Sequence, residues 1–182
     1  MINIKVAEVE NFLSFKEKQR FVFHNGGIHY IHGINLDSKN KADEIEGLDS
    51  NTEELPDDMF SVASGKSSFT YICQYVFYGK IVKKVKMDGV INKETKRDLY
   101  TMVEFDINND EYKIERYRRH YIHKNNLYLF KKVNNDWVDL SDSDGEMTQE
   151  KIQKLIILNA VTFQKCILFH RDDMKQFLDL NE

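Results

Sequence analysis

Apolar residues first recur at every second position. Ile2, Ile4 and Val6 alternate with polar neighbours and Val9 follows after one shift, which predicts a strand. Phe12, Phe15, Phe21 and Phe23 flank the polar stretch 16–20 and predict a hairpin-like return. Asn25-Gly26-Gly27 is a turn signal, and residues 28–31 behind it read as a short buried strand that ends at Gly33. From Ser67 the period changes. Phe69, Ile72, Cys73, Val76 and Phe77 share one face of a helix, with Gly79 placed to end it. Alternation returns over 100–107, 111–117 and 127–133. The links Asn108-Asn109-Asp110 and Lys124-Asn125-Asn126 are turn-like, so an antiparallel meander is expected, with 137–140 as an edge strand. Thr148 is the expected N-cap of a helix that places Ile152, Leu155 and Ile156 on one face. Residues 163–169 form a last apolar run.

Between these patterned regions lies a break in character. Residues 37–60 carry Asp37, Asp43, Glu44, Glu46, Asp49, Glu53, Glu54, Asp57 and Asp58 against Lys39 and Lys41, together with the only proline, Pro56. Such a segment is expected to be a solvated loop. The remainder is ordinary for a globular chain of 182 residues, 41% hydrophobic and 31% charged. A net charge of -4 does not advertise nucleic-acid binding by the whole molecule, so any such surface must be local. The middle of the chain supplies one: Lys113, Arg116, Arg118, Arg119 and Lys124 are interleaved with Tyr112, Tyr117, Tyr121 and Tyr128, as a DNA-facing surface requires and as solvated strand edges also show. Cys73 and Cys166 exclude a disulfide framework and a Cys-rich zinc site. The opening residues carry Lys5, Glu8 and Glu10 instead of a signal peptide's apolar run, and no stretch approaches the ~18 apolar residues of a membrane helix. A soluble, cytoplasmic protein with no membrane association is expected.

Candidate chemistry centres on Ser64-Gly65-Lys66-Ser67-Ser68. Phosphate binding of this type needs a strand, a glycine-containing turn whose N–H groups converge on an anion, and a helix whose N-terminus adds positive potential. A lysine contacts the outer phosphates and a Ser or Thr hydroxyl holds magnesium. The full motif wants a glycine five residues before Gly65, where Phe60 stands; the glycine available is Gly33. Either the phosphate loop carries the acidic stretch as an insertion, which is entropically tolerable, or the tripeptide is accidental. His120 and His123, and likewise His29 and His32, are spaced poorly for one metal if they lie on strands. Asp142-Ser143-Asp144-Gly145 reads as a turn, because Leu140 and Lys151 take the end positions of a calcium loop.

Several segments, in order, resemble the N-terminal ATPase lobe of SbcC-type proteins, SMC-like ATPases that partner a nuclease in double-strand-break repair. They are Asn11-Phe12-Leu13-Ser14-Phe15, Ile31-His32-Gly33-Ile34-Asn35, Ser64 to Phe69, Tyr75 to Lys80, Asn92, and Tyr112-Lys113-Ile114-Glu115-Arg116. The resemblance implies an α/β fold, that of a P-loop NTPase with an ABC-ATPase-like N-lobe, in which a mixed sheet accompanies the antiparallel meander. The chain would be a single lobe over 1–182 with 37–60 inserted in the phosphate loop. ATP and magnesium would be the cofactors, with Gly33, Asn35, Ser64, Gly65, Lys66, Ser67 and Ser68 around the nucleotide, Ser67 holding the metal through its hydroxyl, and Ser14 a near neighbour. Expected partners are a C-terminal ATPase lobe, a nuclease subunit and DNA, in an ATP-dependent head dimer.

The sequence departs from that pattern where it has His170-Arg171-Asp172 in place of the glutamine loop, and it holds no apolar run ending in Asp-Glu for Walker B. Hydrolysis is therefore expected only when a C-terminal lobe supplies Walker B and the signature motif. The competing expectation is a truncated, non-catalytic module that retains the fold without hydrolysis. A small-molecule kinase would need an Arg-rich lid and an acidic substrate site, which the sequence does not display.

Overall fold

The computed structural model describes residues 2–23, 65–81 and 85–167. The expected strand at 28–31, the acidic stretch 37–60, and Gly33, Asn35 and Ser64 lie outside the described residues, as does the segment from 168 onward.

The described strands are β1 (Ile2–Glu10), β2 (Gln19–Val22), β3 (Leu99–Ile107), β4 (Asp110–Arg118), β5 (Leu127–Val133) and β6 (Asp136–Asp139). They form one sheet in the order β2-β1-β3-β4-β5-β6, and every pairing is antiparallel. The expected α/β P-loop NTPase fold with a mixed sheet is therefore corrected to a β-rich fold built on an antiparallel sheet. The reason lies in the connections. A parallel pair needs a crossover of about a dozen residues or more. Here β3 turns into β4 through Asn108-Asn109 and β5 into β6 through Asn134-Asn135, with φ of 52° and 71°, and of 51° and 73°. Consecutive left-handed residues make the tight turns that fit the right-handed twist of a hairpin, and asparagine tolerates them.

The helices α1 (Lys66–Tyr78), α2 (Gly145–Ile156) and α3 (Ala160–Ile167) come before and after the meander, not between its strands. Leu99, Thr101, Val103 and Phe105 of β3, Ile114 of β4 and Leu129 of β5 present a buried row. Ile72, Val76 and Phe77 of α1 complete the same core, with Phe77 edge-on to Phe105 at 5.3 Å and to Phe163 of α3 at 5.6 Å. Each such side chain contributes about 1.5–3 kcal/mol when buried. Gly79 ends α1 in the left-handed conformation at φ 68°, its N–H bonded to the Tyr75 carbonyl.

Two local expectations shift. The change of phase in β1 is a bulge between Ile4 and Val6: Ile4 faces Phe105 while Val6 faces Glu104. The extra residue, Lys5, reaches Asp106 and Glu111 instead, at 3.5 and 3.1 Å. The cap of α2 is Asp144, which accepts the Glu146 N–H; Thr148 lies one turn inside, buried, with its hydroxyl accepting the Asp142 N–H.

Candidate phosphate-binding site

Gly65, Lys66, Ser67 and Ser68 come together as the first turn of α1. Gly65 is the N-cap at φ 90° and ψ 0°, and its carbonyl accepts the N–H groups of Ser68 and Phe69 at 2.9 and 3.1 Å. Among the described residues no side chain caps this end, and no acidic residue occupies the first turn, so the turn itself places no negative charge at the positive end of the helix. Lys66 and Ser67 are exposed there. Glycine is required at 65 on two counts. L-residues rarely adopt that φ, and a Cβ would lie 2.8 Å from Ser14 Oγ and 3.6 Å from the Phe15 ring.

Ser14 belongs to the turn that follows β1, and its hydroxyl donates to Ser68 Oγ at 2.8 Å. This turn is held from several sides. Phe12 is fully buried against Tyr75, with ring centroids 5.4 Å apart. Residues 90–92 run beside it: Leu13 N–H donates to the Val90 carbonyl and Asn92 N–H to the Asn11 carbonyl, both at 2.8 Å. Asn92 Nδ2 donates to the Leu13 carbonyl at 2.9 Å, while Asn92 Oδ1 accepts from the Glu94 N–H. Asn11 Nδ2 donates to the Asp98 carbonyl. Both asparagines are buried. Leu13 is held at φ 50°, an unfavourable value for a residue of its size. A left-handed leucine next to a serine that touches the helix start marks a place where surrounding contacts override local preference.

The first turn is also anchored from below. Phe69 packs on Phe21 of β2 at 4.8 Å and on Phe23 at 6.1 Å, and Phe15 meets Phe21 at 5.8 Å. Behind it, the half-buried Cys73 packs against the core, and desolvation pushes its thiol pKa up to about 12, which makes it a packing residue rather than a nucleophile at neutral pH.

The assembled feature is the positive end of a helix with no side-chain cap among the described residues, carrying an exposed lysine and hydroxyls, with the Ser68 and Phe69 N–H groups turned onto the Gly65 carbonyl. Chemically it suits an anion whose oxygens can be shared among N–H groups, as a phosphate's can. Sequence reasoning singled out Gly65 to Ser68 and placed Ser14 nearby, but it missed the Asn11–Asn92 clamp. The two asparagines are remote in sequence, and only the pairing of β1 with β3 brings them together. His120 and His123, expected in or beside a strand, lie beside one, in the β4–β5 turn, with ring centroids 5.1 Å apart. A scan against protein-family models and a search of curated proteins each found no match for this sequence.

Proposed function

We propose that the first turn of α1 binds the phosphate chain of ATP with magnesium. On this reading the chain is the ATP-binding half of an SbcC-like DNA repair and recombination ATPase that works with a nuclease partner on DNA ends. One observation carries the proposal: Gly65, left-handed and uncapped, opens α1 directly onto Lys66 and Ser67 with no acid in the turn. The phosphate contact itself does not depend on the direction of the sheet, because anion binding at a helix start draws on main-chain N–H groups, the helix dipole and a nearby cation. Lys66 would meet the β- and γ-phosphate oxygens, and Ser67 would hold magnesium through its hydroxyl. A C-terminal lobe would bring Walker B and the signature motif, and turnover would follow from head dimerisation. The ordered sequence resemblance supports this assignment of roles and partners.

A titration of ATP with magnesium, wild type against Lys66→Ala, tests it. Loss of a charge-assisted contact should weaken binding by roughly tenfold to a hundredfold; equal affinity would refute the proposal. A second reading, a phosphate-binding module without hydrolysis, is favoured by the sequence, which has Phe60 at the motif's first glycine and no apolar run ending in Asp-Glu. ATP turnover appearing when a C-terminal lobe is added would count against that reading.

A further inference from the structure

At the same end of the sheet as the α1 start, the link between β4 and β5 folds into a spur. Main-chain hydrogen bonds run both ways between His120 and Lys124 at 2.8 and 2.9 Å. His120 Nδ1 accepts the N–H groups of Ile122 and His123, both at 3.2 Å. Asp98 Oδ1 accepts the Tyr121 N–H at 2.6 Å, and Asn125 Oδ1 accepts the Arg119 N–H at 2.9 Å. Arg119 and Lys124, which bracket the tip, sit at φ 48° and 53°. This strained, heavily bonded backbone presents Tyr121 and Ile122 to solvent, 88% and 69% exposed. Strain and bonding spent on exposing a tyrosine and an isoleucine are the reverse of what stability alone selects.

The surroundings state what would cover them. Lys96, Arg97, Arg119 and Lys124 are exposed around the tip. Among the described residues the acids beside the tip are Asp88, paired with Arg118 and Arg119, and Asp98, which pairs with Arg97 and accepts the Tyr121 N–H, so Arg97 and Arg119 would exchange these partners for phosphates. Behind the tip, on the sheet face opposite the helices, Tyr117 stacks on His123 at 4.2 Å and meets Tyr128 at 5.9 Å. A flat ring and an aliphatic side chain inside a ring of cations match an unpaired base with its flanking phosphates. A protein partner would call for an apolar patch of hundreds of Å², and a lipid surface for a larger apolar payload than these two side chains provide.

We infer that the β4–β5 spur is a single-strand contact for DNA ends: Tyr121 stacks on an exposed base, Ile122 packs beside it, and Arg97, Arg119 and Lys124 take the adjacent phosphates. The inference rests on reading the chain as a DNA-acting protein, but it uses none of the residues assigned to the nucleotide.

The test is fluorescence anisotropy of a dye-labelled single-stranded oligonucleotide with the full chain, as wild type, Tyr121→Phe, and Tyr121→Ala combined with Ile122→Ser. The wild type and Tyr121→Phe should bind alike, and the double variant roughly tenfold more weakly with an unchanged salt slope, because stacking and not phosphate neutralisation is removed. Equal affinity of the double variant, no binding by the wild type at low salt, or retention on phosphatidylserine vesicles that the double variant loses would each overturn the inference. ATP titrated into the same preparations keeps the two proposals separate, since the spur variants should bind nucleotide as the wild type does.

Discussion

Arg116 of β4 closes the C-terminal end of α1 by donating to the Val76 carbonyl from both Nε and Nη2, at 3.2 and 3.0 Å. The same guanidinium donates to Gln149 Oε1 of α2, and Gln149 Nε2 donates to the Phe77 carbonyl at 2.8 Å. Helix-end carbonyls that would otherwise be orphaned are thus satisfied by a strand and a neighbouring helix. Burial lowers the Arg116 pKa to about 10, which leaves it charged at neutral pH.

Arg116→Met should therefore destabilise the fold by about 1–3 kcal/mol, because it strands buried carbonyls while keeping most of the side-chain volume. Gly79→Ala should act through the same contact. Its φ is 68° and a Cβ would stand 3.0 Å from Arg116 Nη1, so about 1–2 kcal/mol is lost to conformation alone. Urea unfolding of the single and double variants measures both, and a coupling energy near zero would mean that the glycine and the arginine act independently.

Gly65 gives a second pair. Gly65→Ala should cost about 1–2 kcal/mol from its φ of 90°, with a further cost from the 2.8 Å approach to Ser14 Oγ. Adding Ser14→Gly removes the close contact and should restore only the second part. Complete rescue would show that the left-handed conformation at 65 carries no strain.

Asn92→Ala should loosen the turn that presents Ser14. It deletes the hydrogen bond to the Leu13 carbonyl and an acceptor for the Glu94 N–H, a cost of about 1–3 kcal/mol for a buried polar group. With its clamp gone, Leu13 should relax from φ 50° toward an ordinary conformation. Amide exchange at residues 11–15 should accelerate more than exchange in β3 to β5; uniform acceleration would mean that the clamp supports the whole domain and not this turn.

Acid should destabilise the protein through Glu8. Burial alone would raise its pKa, but hydrogen bonds and charge from Lys18 and Arg20 prevail and hold it below the ordinary 4.5. A carboxylate lowered in the folded state contributes stability that is full above its unfolded value and disappears as pH falls through the folded one. Glu111 adds in the same direction, lowered by Lys132 and Lys5. Denaturation midpoints should hold steady above about pH 5 and fall below it. Glu8→Gln should lower the neutral plateau and flatten the acid limb, and an acid limb as steep as the wild type's would place the titration elsewhere.

Much of the local structure was legible in residue order. The spacing of Phe69, Ile72, Val76 and Phe77 with Gly79 behind them marked α1, and the asparagine-rich links marked the meander, because period and turn chemistry are properties of neighbours. The direction of the sheet was misread, since the phosphate motif imported a parallel neighbour that the described strands do not include. Thr148 looked like a cap because it precedes Ile152 on the apolar face, yet Asp144 offers a carboxylate one turn earlier and wins. At the candidate site, Gly65 to Ser68 announced themselves through backbone needs that only certain residues meet. Asn11 and Asn92 stood out only as positions of the resemblance and not as a contacting pair, because a buried asparagine looks the same in sequence as one in any turn until the pairing that joins them is known.

The placement of β1 has a consequence for how the chain comes off the ribosome. Its inner edge pairs with the far end of β3, Ile2 against Ile107, while its outer edge meets β2 within the first stretch of polypeptide. A nascent β1–β2 ribbon must therefore wait, one flank unpaired, until Leu99–Ile107 has been translated. Its slow step is the arrival of a distant strand, and the interval exposes a sticky margin that dilution or a chaperone would have to guard.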